Sequence, residues 1–169
     1  MKVLIVSDSH GLTDELTMLK ERHKTEIDIM IHCGDSELEY HSNELNGFFR
    51  VRGNCDFDTG FPEDFTHVLG KHTLFVTHGH LYNCKMTLLN LNYRAEELGA
   101  KIVCFGHSHV AGVEMIDGTL FINPGSIRLP RMRKERTYAI LSLDDNHVQV
   151  HFYDLLGQNV DSLSADFTL

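Results

Sequence analysis

The residues with the clearest chemical potential in this chain are carboxylates, one asparagine and several histidines that follow short apolar segments. In chain order they are Asp8 and His10, Asp35, Asn54, His78 with His80, and His107 with His109. Glycines accompany these groups, and glycine lets the backbone turn sharply and approach a site closely. Carboxylate, amide and imidazole ligands together suit divalent ions such as Mn²⁺, Fe²⁺ or Zn²⁺. The pattern therefore predicts a metal site assembled from five separate segments.

So many ligands would crowd a single ion, and two ions that share one carboxylate are the more natural arrangement. Two ions about 3.5–4 Å apart stabilise both the attacking and the leaving oxygen of an in-line phosphoryl displacement. A water that bridges them is deprotonated near neutral pH and acts as the nucleophile. The residue types therefore indicate metal-dependent hydrolysis of a phosphoric ester.

The segments that position these groups in the first half of the chain alternate between strand and helix. Buried strands are predicted at Lys2–Val6, Ile27–His32 and Phe48–Val51, where branched apolar residues predominate. Helices are predicted from residue 13 or 14 to residue 24 and, with a more polar composition, over Glu37–Leu45. This alternation indicates a mainly parallel sheet with right-handed crossovers. Ligands of such sheets bind beyond the carboxyl ends of the strands, where the polar groups lie.

After Pro62 the pattern favours hairpins. The predicted strand pairs are Thr66–Leu69 with His72–Thr77, Val113–Ile116 with Leu120–Ile122, and Tyr138–Leu143 with Val148–Phe152. A helix over Thr87–Leu98 and a buried strand over Lys101–Phe105 separate the first pair from the second. We therefore expect a single α/β domain over residues 1–169, with two packed sheets, helices outside them, and a peripheral tail from about residue 157.

The composition limits the partners. The chain has 15 basic and 24 acidic residues, which gives a net charge of −9. Such a chain does not attract extended nucleic acid or an anionic membrane by its overall field, and bound cations would have to reverse the field for a phosphate substrate. No stretch approaches the roughly 18 apolar residues of a membrane span. The widely spaced cysteines Cys33, Cys55, Cys84 and Cys104 indicate reduced thiols and a cytoplasmic protein.

The ordered motifs resemble the conserved blocks of the calcineurin-like metallophosphoesterase superfamily, most closely its small YfcE-like phosphodiesterase branch. The matching blocks are Asp8-x-His10, Gly34-Asp35, Gly53-Asn54-Cys55-Asp56, His78 and Gly106-His107-x-His109. The resemblance covers the chain from Lys2 to about Phe152. It implies a two-sheet αββα sandwich and hydrolysis of small phosphodiesters or phosphomonoesters. Small members of this branch are often homodimers or larger homo-oligomers.

The resemblance also implies roles for individual residues. Asp8, His10 and His109 would hold the first metal, Asn54, His78 and His107 the second, and Asp35 would bridge the two. Mn²⁺ is the expected ion, with Fe, Zn, Ni and Mg as alternatives. The catalytic set implied by these blocks is Asp35, Asn54, Cys55, Asp56 and His80.

One block departs from the usual superfamily pattern. Most members have a histidine where this chain has Cys55, and that histidine is thought to assist the leaving group or the transition state. A thiol is uncharged and a weak donor, so His80 is the alternative proton donor, unless the substrate has a good leaving group. The segment Asn123-Pro124-Gly125-Ser126 resembles the loop after the last metal block, and it is followed by Arg128 and Arg131. Arginine binds phosphate through its bidentate fork, so these two, with Asn54 and His80, are expected substrate contacts.

Two other functions compete with the phosphodiesterase interpretation. The same fold serves as a non-catalytic protein-binding scaffold in the retromer complex, but there the metal blocks have decayed. A hydrolase of small nucleotides or nucleic-acid ends is also compatible with the motifs. Motifs of other hydrolase and nucleotide-binding folds are absent, including a P-loop and a Gly-x-Ser-x-Gly elbow.

Overall fold

The computed structural model describes residues 1–169, which form two β-sheets and two α-helices. The strands are β1 (Lys2–Val6), β2 (Ile29–His32), β3 (Phe48–Arg50), β4 (Asp64–Leu69), β5 (His72–Thr77), β6 (Ala100–Cys104), β7 (Gly112–Ile116), β8 (Thr119–Asn123), β9 (Thr137–Asp144), β10 (His147–Asp154) and β11 (Ala165–Thr168). The helices are α1 (Asp14–His23) and α2 (Leu89–Leu98). No helix in the structure combines the length and the apolar composition that crossing a membrane requires.

The two sheets pack face to face, and each has a helix on its outer side. The first sheet has the strand order β11-β10-β9-β1-β2-β3, and the second has the order β4-β5-β6-β8-β7. In β1, Val3 and Ile5 enter the core between the sheets, whereas Leu4 and Val6 pack on the outer side with Leu16 of α1. Because successive side chains of a strand point to opposite faces, burial of both faces produces an uninterrupted apolar segment. The predicted αββα sandwich is confirmed.

The parallel strands of both sheets determine where the polar loops lie. Strands β1, β2 and β3 run parallel in the first sheet, and β5, β6 and β8 run parallel in the second. The later hairpins are antiparallel, and β9 returns the chain to the first sheet beside β1. The carboxyl ends of β1, β2, β3, β5 and β6 lead into the loops that carry the candidate ligands, and β8 leads into the loop of Arg128. Ligand sites of such sheets lie at these ends of the strands.

The helix predicted over Glu37–Leu45 is wrong. The segment is a loop that ends in one 3₁₀ turn at Asn43–Leu45. Side chains bind its backbone instead of a helical ladder: Asp56 accepts from the Glu37 amide (2.7 Å), and Asp58 accepts from the Tyr40 amide (2.7 Å). These hydrogen bonds join residues that are distant in the chain, so the sequence of the segment alone does not predict its conformation.

The tail contains an edge strand that the sequence analysis does not predict. Strand β11 pairs antiparallel with β10, with Ala165 opposite Val150, and Phe167 and Leu169 pack against the core between the sheets. The signal was the alternation of Ala165, Phe167 and Leu169 with polar residues, which is typical of a half-buried strand. The polar composition of the preceding residues obscured this short pattern.

We expect Phe167→Ala to lower the free energy of unfolding by about 2 kcal/mol, because it removes apolar surface from the core between the sheets. The matched control is Asp166→Ala on the exposed side of the same strand, which should change stability by less than about 0.5 kcal/mol. Urea unfolding of both variants measures the difference. Equal stabilities would show that β11 contributes no packing energy.

Candidate metal centre

Loops from both sheets meet at one end of the sandwich. Within the first sheet, the Asp8 amide donates to the Gly34 carbonyl (3.0 Å), and within the second sheet the Gly106 amide donates to the His78 carbonyl (3.1 Å). The His107 amide donates across the sheets to Asp8 Oδ2 (3.1 Å). These bonds hold the candidate ligands of the first sheet against those of the second.

Asp8 lies at the middle of the cluster and is fully buried. Its Oδ1 atom is 3.1 Å from His109 Nε2 and 3.9 Å from the Nε2 atoms of His10 and His78. The Nε2 atoms of His10 and His109 are 3.3 Å apart. One carboxylate oxygen and three imidazole nitrogens therefore converge on a small volume, as the sequence analysis predicts for these four residues.

Asp35 connects this group to its neighbours. Its Oδ2 atom is 3.3 Å from His78 Nε2, and its Oδ1 atom accepts from the Cys55 amide (2.7 Å). Asp35 shares one potential ligand set with Asp8 and His78, and another with His10 and Cys55, and the donor atoms within each set lie within 4.8 Å of one another. Asp8 and His10 also belong to two sets each, so the three sets overlap and form one continuous cluster, with Asp35 in two of them.

Three imidazoles have their ring orientation fixed from outside the cluster. Each Nδ1 contacts an acceptor there. Nδ1 of His78 lies 2.7 Å from the Cys33 carbonyl, and Nδ1 of His109 lies 2.7 Å from the Leu129 carbonyl. Nδ1 of His10 lies 2.6 Å from the Glu37 carboxylate. Because these acceptors require a proton on Nδ1, the neutral rings present an Nε2 lone pair to the cluster. Glu37 was not singled out from the sequence, because only the folded loop brings it to His10.

The cluster requires positive charge. Asp8 Oδ1 and His78 Nε2 are buried and have no hydrogen-bond partner. A carboxylate oxygen that faces imidazole lone pairs in a buried site is unfavourable unless a cation lies among them. A divalent ion meets this requirement and matches the chemistry of the donors. The residues therefore fit the metal ions that the sequence pattern implies.

The ionisation of the cluster leads to the same conclusion. Burial would raise the pKa of Asp8, but the contact with His109, the charge of His78 and the Ser7 hydroxyl hold it below its ordinary value. Burial would lower the pKa of His78, but the Asp35 and Asp8 carboxylates raise it. The contact with Asp8 also raises the pKa of His109. Protons and metal ions thus compete for the same imidazole nitrogens, and metal binding must weaken as the pH falls.

His107 and His80 lie beside this cluster. The ring of His107 is 5.1 Å from that of His78 and 6.0 Å from that of His80. Burial, the charge of His78 and then the charge of Lys85 lower the pKa of His107 to about 4, so this imidazole is neutral at physiological pH. Burial and His78 also lower the pKa of His80, whose buried Nδ1 has no hydrogen-bond partner.

The loop after β3 places Asn54 and Cys55 at the open side of the cluster. Asn54 is exposed, and its Nδ2 donates to Cys55 Sγ (3.3 Å). Burial and the negative charge of Asp35 raise the pKa of Cys55 to about 11. Cys55 therefore keeps its proton at neutral pH and is a weak acid.

Asp56, grouped above with the catalytic residues, is instead a positioning residue. It is buried, and one of its oxygens accepts from the amides of Asp35 (2.8 Å) and Gly53 (2.7 Å). The other accepts from the Ser36 hydroxyl (3.0 Å) and the Glu37 amide (2.7 Å). With both oxygens occupied, Asp56 ties the loop after β3 to the loop after β2 and does not face the cluster.

The two arginines occupy different positions. Arg128 is exposed, and its guanidinium donates to the His10 carbonyl, at the edge of the cluster. Arg131 binds the neighbouring loop only through its backbone, from its amide to the His109 carbonyl (3.0 Å). Its side chain lines a groove on the outer face of the second sheet. Arg128 thus contacts the loop of a candidate ligand directly, whereas the Arg131 side chain lies in the groove and acts on His109 only through its charge.

The backbone of the site is strained. Six of the ten non-glycine residues with positive φ belong to the loops of the cluster: Asp8, His10, Asp35, Glu37, His107 and His109. Such conformations cost free energy and persist where the surrounding structure enforces them, typically at functional sites. The concentration of strain at this end of the sandwich therefore agrees with the positions of the candidate ligands.

An αββα sandwich with carboxylates and imidazoles at the carboxyl ends of its parallel strands defines the class of metal-binding phosphoesterases. The sequence profile of the calcineurin-like phosphoesterase superfamily domain matches residues 1–146. The chain belongs to this superfamily, and it is a phosphoesterase-type hydrolase.

Relatives and solved structures agree with this assignment. The chain is 53% identical over 169 residues to the probable metallophosphoesterase YsnB of Bacillus subtilis, and the match covers 100% of both chains. It is 31% identical over 103 residues to the phosphodiesterase YfcE of Escherichia coli K12, covering 56% of this chain and 52% of YfcE. A solved predicted phosphoesterase of Streptococcus pneumoniae TIGR4 has a TM-score of 0.95 and 35% identity, covering 99% of this chain and 97% of that one. Vps29 of Entamoeba histolytica, solved with Zn²⁺, shares the fold at a TM-score of 0.77 and 20% identity, covering 100% and 98% of the chains.

We expect Gly106→Ala to disrupt the centre, because a Cβ at this position would lie 2.6 Å from Asp8 Oδ2 and 3.0 Å from Ser7 Cβ. The expected loss of stability is about 2–3 kcal/mol, as is typical of overpacking at a buried site. Gly112→Ala is the matched control, since a Cβ there meets no atom within 4 Å and the φ angle of Gly112 is not positive. Urea unfolding of the two variants tests the difference, and equal stabilities would contradict the close approach of these loops.

Proposed function

We propose that the protein hydrolyses small phosphodiesters with two divalent metal ions, of which Mn²⁺ is the first candidate. The observation that carries this proposal is the buried Asp8 carboxylate, which faces three imidazole nitrogens without a hydrogen bond to its Oδ1, beside Asp35, which belongs to two donor sets. Two ions that share Asp35 can each be coordinated by one of these donor sets, whereas a single ion would have to be coordinated by both. The similarity to YfcE supports a diester as the substrate.

The proposed ligands divide between the two ions as the family pattern implies. One ion would be held by Asp8, His10 and His109. The other would be held by His78, His107 and Asn54, and Asp35 would bind both ions. Bound ions of this kind supply an activated water and positive charge against the phosphate. The donor set combines oxygen and imidazole ligands, which favours Mn²⁺, Fe²⁺ or Zn²⁺ over Ca²⁺.

The remaining groups of the site would bind and orient the substrate. Arg128, exposed at the edge of the cluster, is placed to pair with a phosphate oxygen. His80, next to His78, is neutral because burial and His78 lower its pKa, so it would orient the substrate by hydrogen bonding and is a poor proton donor to the leaving group. Since the Cys55 thiol holds its proton, we expect substrates whose leaving group needs little assistance.

The expected substrate is small. A net charge of −9 opposes binding of long nucleic acids. The four free cysteines support the proposal that the enzyme works in the reducing cytoplasm. A protein-binding role like the scaffold function considered above is the second candidate, because Vps29 shares the fold.

The two candidates are separated by a metal-dependent assay. Protein stripped with a chelator should be inactive, and added Mn²⁺ should restore hydrolysis of bis(p-nitrophenyl) phosphate in preference to p-nitrophenyl phosphate. We expect about two Mn²⁺ per chain by calorimetry. Activity on the monoester alone would contradict the proposed substrate class. Binding of two ions without activity on either ester would favour the protein-binding role.

We expect Asp35→Asn to lower kcat/KM at least about 100-fold, because an amide removes the negative charge that both ions share. Mn²⁺ stoichiometry should fall from two ions to one in the same variant. Asp58→Asn is the control, since Asp58 accepts hydrogen bonds from Tyr40 and Gly60 in a loop outside the cluster. Wild-type activity of the Asp35 variant would exclude the proposed two-metal mechanism.

A further inference from the structure

A groove lies on the outer face of the second sheet, beside the candidate metal centre. Helix α2 packs against β5 and β6, β8 is buried, and the side chains of the edge strand β7 are partly exposed. The resulting groove has a volume of about 730 Å³. Pockets that bind small organic ligands typically have volumes of about 300–1,000 Å³.

The floor and walls of the groove are mainly apolar. Phe105 and Phe121 form the floor and are almost completely buried, and Leu88, Val110 and Met132 lie around it. Because Phe121 is 1% exposed and Phe105 is 6% exposed, most of the apolar contact surface belongs to Leu88, Val110 and Met132. The surface is therefore suited to an organic group and not to phosphate.

The groove is open because of a glycine. Gly112 and Glu114 of β7 lie opposite Asn123 and Phe121 of β8, and the alternation of the strand directs both residues of β7 to the same outer face as Phe121. A Cβ on Gly112 would meet no atom within 4 Å. A larger residue at this position would occupy the space above Phe121.

One loop forms both the wall of the groove and part of the metal centre. Ser108 lines the groove and lies between His107 and His109 in the chain. Asn123, which also lines the groove, donates to the Gly106 carbonyl (3.0 Å) and to Ser108 Oγ (3.0 Å). The groove and the candidate metal centre therefore adjoin along this loop.

Two cations border the apolar surface. The side chains of Lys85 and Arg131 line the groove and form neither an ion pair nor a hydrogen bond with another side chain. Lys85 also lies close enough to His107 for its charge to act on that imidazole. Glu114 also lines the groove, so the two cations leave its lining with an excess of one positive charge. On a chain of net charge −9, this excess complements an anionic ligand that has an apolar group.

We propose that this groove binds an aromatic group of the phosphodiester whose phosphate lies at the metal centre. This inference rests on the proposed function and defines its substrate class as aromatic or nucleoside-like esters. Leu88, Val110 and Met132 would contact the ring above Phe105 and Phe121. Lys85 and Arg131 would stabilise the negative charge of the substrate.

The test compares two phosphonates, which cannot be hydrolysed and differ only in their organic group. Calorimetry of the Mn²⁺-loaded protein should show that phenylphosphonate binds at least about tenfold more tightly than methylphosphonate, as expected for burial of a phenyl ring. Gly112→Phe should reduce this preference to less than about threefold and leave the Kd of methylphosphonate unchanged. Gly112→Ala, the matched control, should keep the wild-type preference. If Gly112→Phe does not fold, Val110→Trp fills the groove from its other wall, with the same expected loss.

The outcomes separate the two proposals. Equal Kd values for the two phosphonates in the wild-type protein, or a preference that survives Gly112→Phe and Val110→Trp, would overturn the groove as a binding site and leave the phosphoesterase proposal intact. Failure of both phosphonates to bind the Mn²⁺-loaded protein would also overturn the groove proposal, whereas the phosphoesterase proposal is decided separately by the diester assay.

Discussion

The arrangement of this end of the molecule depends on the mutual repulsion of buried acceptor atoms. Asp8 Oδ1, Asp35 Oδ2 and the Nε2 atoms of His10, His78 and His109 lie within 3.1–3.9 Å of their neighbours, and the cluster contains no donor that satisfies Asp8 Oδ1. In a protein interior such contacts are unfavourable without an intervening cation. The rest of the fold must therefore hold these atoms together against that repulsion.

The fold meets this demand with backbone strain and with hydrogen bonds from outside the cluster. The carboxyl ends of parallel strands from two sheets bring the loops together, and positive φ angles turn the ligand side chains inward. Asp56 then joins the loops after β2 and β3 through three hydrogen bonds. Glu37 and two carbonyls fix the imidazole rings. Residues that would not themselves coordinate a metal ion thus contribute much of the precision of the site.

The sequence predicts the sandwich and most of the donor set, because both follow from strong local signals. Continuous apolar segments such as Lys2–Val6 indicate strands buried on both faces, and polar groups that follow such strands indicate a site beyond their ends. The loop over residues 37–45 was predicted wrongly because tertiary bonds from Asp56 and Asp58 decide its conformation. Glu37, the positioning role of Asp56 and the different environments of Arg128 and Arg131 likewise depend on contacts between residues distant in the chain.

The metal centre and the groove would determine different properties of the enzyme: the centre determines the reaction, and the groove the choice of substrate. The donors of the metal centre recognise features common to all phosphate esters, so they set the reaction without selecting the organic group. Selectivity must come from surfaces next to the centre, and the groove over Phe105 and Phe121 is connected to it through the loop that contains Ser108. The absence of a side chain at Gly112 keeps that groove open. Substitutions along the outer face of β7 would therefore change the range of substrates without altering the ligands, and chains with the same ligand motifs need not share a substrate.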